Sequence, residues 1–388
     1  DVLIVGAGPA GIGCAAALKE CGINNLALVD RRGVGAAFEK WPAQMRMISP
    51  SFHSNPFGQP DLNAITPHTS VADFIHSEHP TGPEYARYLN ALADYYKLKV
   101  KTGIEVEAVE KSGEHLVLKN DTEKLRARHV IWAAGEFFFP REDIRGSEHC
   151  IHNTKVEDWN ELPGVEHAII GGFESGIDAA IHLVRAGKSV HVLSRGEPWH
   201  QDSPDPSRTL SPFTIDRLKD VLQNGAGSIR FYKNADIVEV TRSGDDYVLL
   251  DKEDSEPFEI STPPILCTGF RGGLGPVESF FKDEKGKLAF TEDADEAPLL
   301  PNLFYSGPML QHRQAIFCFI YKYRARYGII ARTIADRLGY EWEKPLKQWK
   351  ERGFMIDDLS CCEDCTCAVE TEEEVAPAEV EDYATANH

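Results

Sequence analysis

Six residues near the start of the chain have the spacing of a phosphate cradle. Gly6-Ala-Gly-Pro-Ala-Gly11 follows a short apolar run, Asp1 to Val5, and leads into an Ala-rich stretch from Ile12 to Cys21. Glycine in the first position permits a tight strand-to-helix turn. In the third it lets backbone approach an anion, and in the sixth it lets helix and strand pack closely. The N-terminus of the helix then offers unsatisfied N–H groups to a pyrophosphate. Gly6, Gly8, Pro9, Ala10 and Gly11 are therefore the candidate contacts. Asp30 ends a second apolar run, Leu26–Asp30, 19 residues after Gly11. A carboxylate at that distance accepts hydrogen bonds from an adenosine ribose, with Arg31 beside it. The alternative is a tight strand–helix turn that holds nothing.

The pattern recurs 165 residues later as Gly171-Gly-Phe-Glu-Ser-Gly176, after His167–Ile170 and before a helix expected to run to about Ala186. Gly171, Gly172, Phe173, Glu174 and Ser175 are its candidate contacts. Phe173 stands where glycine is usual and puts a bulky side chain where backbone would approach phosphate. The following strand, Ser189 to Arg195, ends in Ser194-Arg195 rather than in an acid. An Arg there pairs with a 2′-phosphate, which an acid would repel, so NADPH is expected in preference to NADH. The alternative is a degenerate second unit that has lost its nucleotide. Two such loops imply a division of labour, one holding a flavin (FAD) and the other a nicotinamide that delivers hydride to it.

Thiols are the other reactive groups. Of nine cysteines, Cys361, Cys362, Cys365 and Cys367 lie within seven residues of one another. Three readings stay open for them: a redox tail, a soft-metal or partner site, or an inert appendage. Cys14, Cys21, Cys150, Cys267 and Cys318 read as packing residues. The 14 histidines show no metal-ligand spacing, and no resident metal is expected.

The elements that must position these groups are those of an α/β chain. Alternating runs at Glu105 to Glu110, His115 to Lys119, Ile237 to Thr241 and Tyr247 to Asp251 read as antiparallel strands. With 388 residues and 42% hydrophobic residues there is ample length for two or three cores. The net charge of −20 argues against nucleic-acid or polybasic membrane binding. Eleven acids and no Lys or Arg lie from Gly353 onward, so the charge belongs largely to the C-terminal end. No apolar run is long enough to cross a bilayer, and the odd cysteine count favours a reducing, cytoplasmic setting. Because the chain opens on a strand without Met, a trimmed leading segment is an open expectation.

On these motifs the sequence resembles the flavoproteins with two dinucleotide-binding domains. Val130-Ile-Trp-Ala-Ala-Gly135 and Pro264-Ile-Leu-Cys-Thr-Gly269 are similar to that family's two crossings between its FAD and NAD(P)H domains. Asn302-Leu-Phe-Tyr-Ser-Gly307 is similar to its strand toward the flavin ring, but Pro308 stands where a ribityl-binding Asp is usual. The resemblance implies two Rossmann-like domains, the second inserted into the first: 1–150 and 263–340 for FAD, 151–262 for NAD(P)H, then a disordered acidic tail over 341–388. Two subgroups compete. Lys40-Trp-Pro42 and the helix after Gly307 resemble bacillithiol-disulfide-reductase-like and thioredoxin-reductase-related proteins. Trp41, Met45-Arg-Met-Ile-Ser-Pro50, Ser175-Gly-Ile-Asp178 and Arg195-Gly-Glu-Pro-Trp-His200 resemble flavin-containing monooxygenases equally.

The implied flavin-site residues are Trp41, Met47, Phe52, His53, Asn55, Gln311 and His312, with Gly135, Gly269 and Gly307 at the crossings. Packing or a loop hydrogen bond is the plain alternative for each. The chain lacks the C-x-x-C of a flavin-linked disulfide reductase in its second domain, and Ala10 replaces the Cys often seen in the bacillithiol group's first loop. The expected activity is hydride transfer from NAD(P)H to FAD, then electron delivery to a thiol, disulfide or sulfur-linked acceptor. Oxygenation of a soft nucleophile, or a redox sensor without turnover, are the alternatives. The expected partner is a small molecule or small protein, and a homodimer is common among similar proteins.

Overall fold

The computed structural model describes residues 1–53, 58–201, 203, 205–253 and 256–360. Asn55 and the four cysteines from Cys361 to Cys367 lie outside these. Among the described residues, one compact unit comprises 1–39, 49–138 and 272–360, and the other 40–48 and 139–271.

In chain order, the strands of two parallel sheets are β1 (Val2–Val5), β2 (Leu26–Asp30), β3 (Val100–Thr102), β4 (His129–Trp132), β5 (Ile151–His152), β6 (Glu166–Ile170), β7 (Ser189–Leu193), β8 (Ser228–Tyr232), β9 (Ile265–Leu266) and β10 (Leu303–Tyr305). The first unit has the order β10-β4-β1-β2-β3, and the second β8-β7-β6-β9-β5. Strands buried on both faces read as continuous apolar runs, and β1 and β4 are buried at every position. Each unit adds a three-stranded antiparallel sheet, 108–127 in the first and 237–260 in the second. The architecture is that of two Rossmann-like domains.

Helix α1 (Pro9–Glu20) follows β1, α2 (Gly82–Tyr95) precedes β3, α3 (Glu174–Arg185) follows β6, and α4 (Pro212–Asn224) precedes β8. Near the C-terminus lie α5 (Tyr327–Leu338) and α6 (Lys347–Glu351). Helix α1 is buried without a break from Pro9 to Leu18. Its small residues allow this, because a Cβ on Gly13 would lie 2.1 Å from the Tyr327 ring of α5. Among the described residues no helix is long and apolar enough to cross a membrane.

The units divide elsewhere than the sequence spacing suggests. Residues 139–150 and 263–271 belong with the second unit. The Arg141 N–H donates to the Gly269 carbonyl at 2.9 Å, and Pro140 bridges to Phe270. Residues 40–48 also join that unit, where the Ala43 N–H donates to the Glu157 carbonyl at 2.8 Å.

The expected tail from residue 341 is a further correction. Trp349, Phe354, Met355 and Leu359 are buried, and the Gly328 N–H donates to the Phe354 carbonyl at 2.9 Å. Charge drew attention to this end of the chain, but its apolar residues decide where it packs.

Candidate functional site

Gly6 ends β1 at φ +107°, and a Cβ there would lie 2.1 Å from the Ala133 carbonyl oxygen. A Cβ on Gly11 would lie 2.0 Å from the Gly6 carbonyl oxygen. Gly8 differs: its φ of −86° suits any residue, and a Cβ would meet nothing within 4 Å. The space beside Gly8 is therefore open backbone at a helix N-terminus. No side chain caps α1, Pro9 occupies its first turn, and no acid lies there. That end keeps its partial positive charge and its unsatisfied N–H groups, which fits a pyrophosphate. Asp30 braces the loop by accepting from the Ala7 N–H at 2.9 Å and from the Arg32 and Gly33 N–H groups at 2.7 and 2.8 Å. Arg31 pairs with Glu105 at 2.8 Å, and the Arg32 guanidinium lies 3.8 Å from the Phe138 ring centroid.

β1, β4 and β10 emerge side by side at the carboxyl edge of the first sheet, with Val5 opposite Trp132 and Trp132 opposite Tyr305. Gly135 takes φ +68° just beyond this edge. Gly307 has φ +151°, and a Cβ there would lie 2.9 Å from the Tyr305 hydroxyl oxygen, which accepts from the Met309 N–H at 3.1 Å. The buried Tyr327 hydroxyl has no hydrogen-bond partner among the described residues, whereas the buried Ser306 hydroxyl meets the Cys14 thiol. Orphaned polar groups of this kind call for a ligand or water. At the first loop, the open backbone beside Gly8 and the uncapped helix N-terminus fit a bound flavin nucleotide.

Glu136 was not among the sequence candidates. Burial pushes its carboxyl up to about 7. Its signal was a lone charge inside the apolar run from Val130 to Pro140.

The second loop repeats the first. Gly171 has φ +108°, and a Cβ would lie 2.3 Å from the Cys267 carbonyl oxygen. A Cβ on Gly176 would lie 1.9 Å from the Gly171 carbonyl oxygen. Gly172 is tight for a different reason, with Ser194 Cβ 2.7 Å and Trp199 2.8 Å from a Cβ placed there. Phe173 is the N-cap of α3, 36% exposed. Glu174 accepts from the Ser211 N–H and, at 2.7 Å, from the Thr214 hydroxyl, so it braces the N-terminus of α4, which Ser211 caps. Burial pushes its carboxyl up.

Behind Ser175, burial would raise the Asp178 carboxyl, but His182 and Arg217 (2.6 Å) hold it below the ordinary value. Ser194 is buried, whereas Arg195 is exposed and makes no ion pair among the described residues.

Of the expected wall residues, Asn55 lies outside the described ones. Trp41 and Met47 belong to the second unit. His53 is exposed and paired with Asp73 at 2.9 Å. Phe52 is half-buried and Gln311 exposed. His312 is buried against Asp295 at 2.6 Å, and Asp295 also pairs with Arg326 at 2.9 Å. That makes His312 part of a core ion network. Gly269, at φ +81°, accepts the Arg141 N–H at the second crossing. Among the described residues no group of three His, Cys, Asp or Glu side chains could hold a metal.

Comparison with known proteins agrees with this geometry. In structure the chain is similar to bacillithiol disulfide reductase Bdr from Staphylococcus aureus, with TM-score 0.70 and 20% identity over 87% of this chain and 98% of that one. It is also similar to an ornithine N-hydroxylase from Kutzneria sp. 744, with TM-score 0.69 and 17% identity over 87% of this chain and 99% of that one. These likenesses show the fold. In sequence it is 26% identical to a component of alkyl hydroperoxide reductase from Staphylococcus aureus over 328 residues, 81% of this chain and 54% of that protein. The chain thus spans about half the length of the curated relatives it matches. The description pyridine nucleotide-disulphide oxidoreductase matches residues 3–307, a stretch that contains both glycine loops and both crossings. The chain belongs to this pyridine nucleotide-disulphide oxidoreductase family, whose members use FAD and NAD(P)H.

Proposed function

We propose that the protein is an FAD-dependent NAD(P)H oxidoreductase that passes electrons to a disulfide or other sulfur-linked acceptor. The observation that carries this reading is the duplicated loop contact, Gly6 on Ala133 and Gly171 on Cys267, with an uncapped helix N-terminus after each loop. FAD, when bound, takes hydride from the nicotinamide and hands on two electrons. The overall reaction takes one disulfide, one NAD(P)H and one proton to two thiols and NAD(P)+.

The chain's own residues bind and orient. Gly8 and the α1 N-terminus hold the FAD pyrophosphate, and Asp30 holds its ribose while fixing the loop. The α3 N-terminus and Arg195 hold NADPH, Arg195 through the 2′-phosphate.

Burial pushes Cys14, Cys21 and Cys150 up to about 12 and raises Cys267 as well, so none of these is a thiolate near neutral pH. The thiolate is the reactive form. Thiol exchange in this reading therefore falls to the acceptor itself or to Cys361, Cys362, Cys365 and Cys367. That the buried Cys14 and Cys267 and the half-buried Cys150 are held as thiols favours the second reading, oxygenation of a soft nucleophile. A small-molecule or small-protein acceptor, a homodimer and a cytoplasmic setting complete the proposal.

The test is an anaerobic titration of the purified protein. NADPH is expected to bleach bound FAD, and a low-molecular-weight disulfide to restore its colour faster than oxygen does. A protein that carries no FAD overturns the reading. One that is reoxidised by oxygen through a long-lived intermediate, but not by disulfide, replaces it with the oxygenase.

A further inference from the structure

Glu136 is a carboxyl with an unusual address. Three chain segments leave the carboxyl edge of the first sheet together: Gly6 after β1, Ala133 to Glu136 after β4, and Ser306-Gly307 after β10. They are tied to one another, since the Ala133 N–H donates to the Val5 carbonyl at 2.7 Å and the Ser306 N–H to the Trp132 carbonyl at 3.0 Å. Ligands of open parallel sheets bind outside this edge. Glu136 thus stands three residues beyond the carbonyl on which the first glycine loop rests, in the unit assigned to the flavin.

Glu136 makes no hydrogen bond or ion pair with any described residue. The groups that sense it electrostatically are the buried hydroxyls of Tyr305, on β10, and Tyr323, in the short helix Ile320–Tyr323. Tyr323 in turn senses the Cys14 thiol of α1. Burial raises all three of these neighbours, so all are neutral near pH 7. A half-buried carboxyl without a partner, at the edge where ligands of such sheets bind, holds its proton above the ordinary carboxylate range, up to about 7, because burial disfavours its charged form. Helix capping, ion pairing and packing, the ordinary duties of a Glu, leave it unexplained.

We propose that Glu136 is the proton-exchanging group of the flavin side of the site, the carboxylic acid that supplies the one proton consumed as NAD(P)H reduces a disulfide. This rests on the function proposed above. In that reaction two electrons pass from the nicotinamide to the disulfide, the S–S bond breaks, and two thiols form. One of their protons derives from the hydride and the other from the Glu136 carboxyl, which solvent then reprotonates.

The test uses the FAD-loaded protein and its E136Q and E136D variants. The flavin midpoint potential is measured by reductive titration against an indicator dye at several pH values. In the wild type, the plot of potential against pH is expected to change slope near neutrality. E136Q is expected to lose that break. It should match the wild type in acid, where both side chains are neutral, and be more positive in alkali, where a carboxylate near the flavin would oppose reduction. A potential that tracks the wild type at every pH overturns the inference.

Infrared difference spectra provide the second measurement. A protonated carboxyl band is expected at about pH 6 and its loss at about pH 8.5, absent from E136Q and displaced in E136D. Wild-type protein without that band at about pH 6 overturns the inference even should E136Q fail to hold FAD. Wild-type protein that binds no FAD instead removes the functional reading beneath it.

Discussion

Phe173 and Gly8 share one backbone conformation: φ −92° and ψ −164° for the first, φ −86° and ψ −168° for the second. Both are the N-cap of the helix that follows a glycine loop. Glycine at this position is therefore a matter of room and not of dihedral angle. Phe173 therefore sits at this N-cap without backbone strain, its ring partly exposed. Replacing Phe173 by Gly is expected to leave the melting temperature within a degree or two and to tighten NADPH binding by about tenfold, roughly 1.4 kcal/mol. Equilibrium titration of the oxidised protein with NADP+ and NADPH measures this.

The two glycines of the first loop separate fold from ligand. Gly6→Ala places a Cβ 2.1 Å from a carbonyl oxygen at φ +107°, and Gly8→Ala places one in open space. G6A is expected to lose about 2 kcal/mol of stability or more. G8A should unfold with the wild type but retain less FAD. Chemical denaturation alongside flavin content per chain distinguishes the two.

In the function proposed above, Arg195 sets the choice of nicotinamide. A charge-assisted hydrogen bond to phosphate is worth about 1.5–3 kcal/mol, so R195A is expected to weaken NADPH by about 10- to 100-fold and leave NADH nearly unchanged. The ratio of kcat/KM for the two reductants reports it.

The first sheet and its loop were legible in the sequence because their signals are local. The strand Leu26–Asp30 ends where its composition says it should, and α1 starts at Pro9, three residues before the expected helix. Units that close through contacts distant in sequence were not legible. Ala43 meets Glu157, and residues 139–150 pair with 239–240 and 269–270. His53 and His312 looked alike as polar residues in loops, yet one is exposed beside Asp73 and the other buried against Asp295. Only the fold decides between them. Glu136 was overlooked because a single acid in a run of Phe and Ala has no motif, and its chemistry comes wholly from burial.

That burial also makes stability depend on pH. The folded protein holds the Glu136 proton up to about 7, above the ordinary value of 4.5. Between these values the folded state binds more protons than the unfolded one, so stability falls as pH rises through this window and levels off above it. The contribution is at most about 3 kcal/mol. E136Q is expected to melt above the wild type at alkaline pH and to show a flatter profile. Thermal melts across the window test this.

Arg217 gives the opposite case in the second unit. Its guanidinium lies 2.6 Å from the buried Asp178 carboxylate. R217A leaves that charge with His182 alone, and a loss of about 3 kcal/mol is expected in denaturant unfolding. R217K should recover part of it.

Arg326 joins parts of the first unit that are far apart along the chain. Its guanidinium holds the Asp295 carboxylate at 2.9 Å, the Glu292 carbonyl at 2.5 Å and the Ile356 carbonyl at 2.6 Å. Breaking one of these contacts exposes a buried charge, so the three segments open together or not at all. In hydrogen-exchange terms they are expected to form one foldon, with the turn at Asp295, the start of α5 and the chain around Ile356 sharing a single opening free energy.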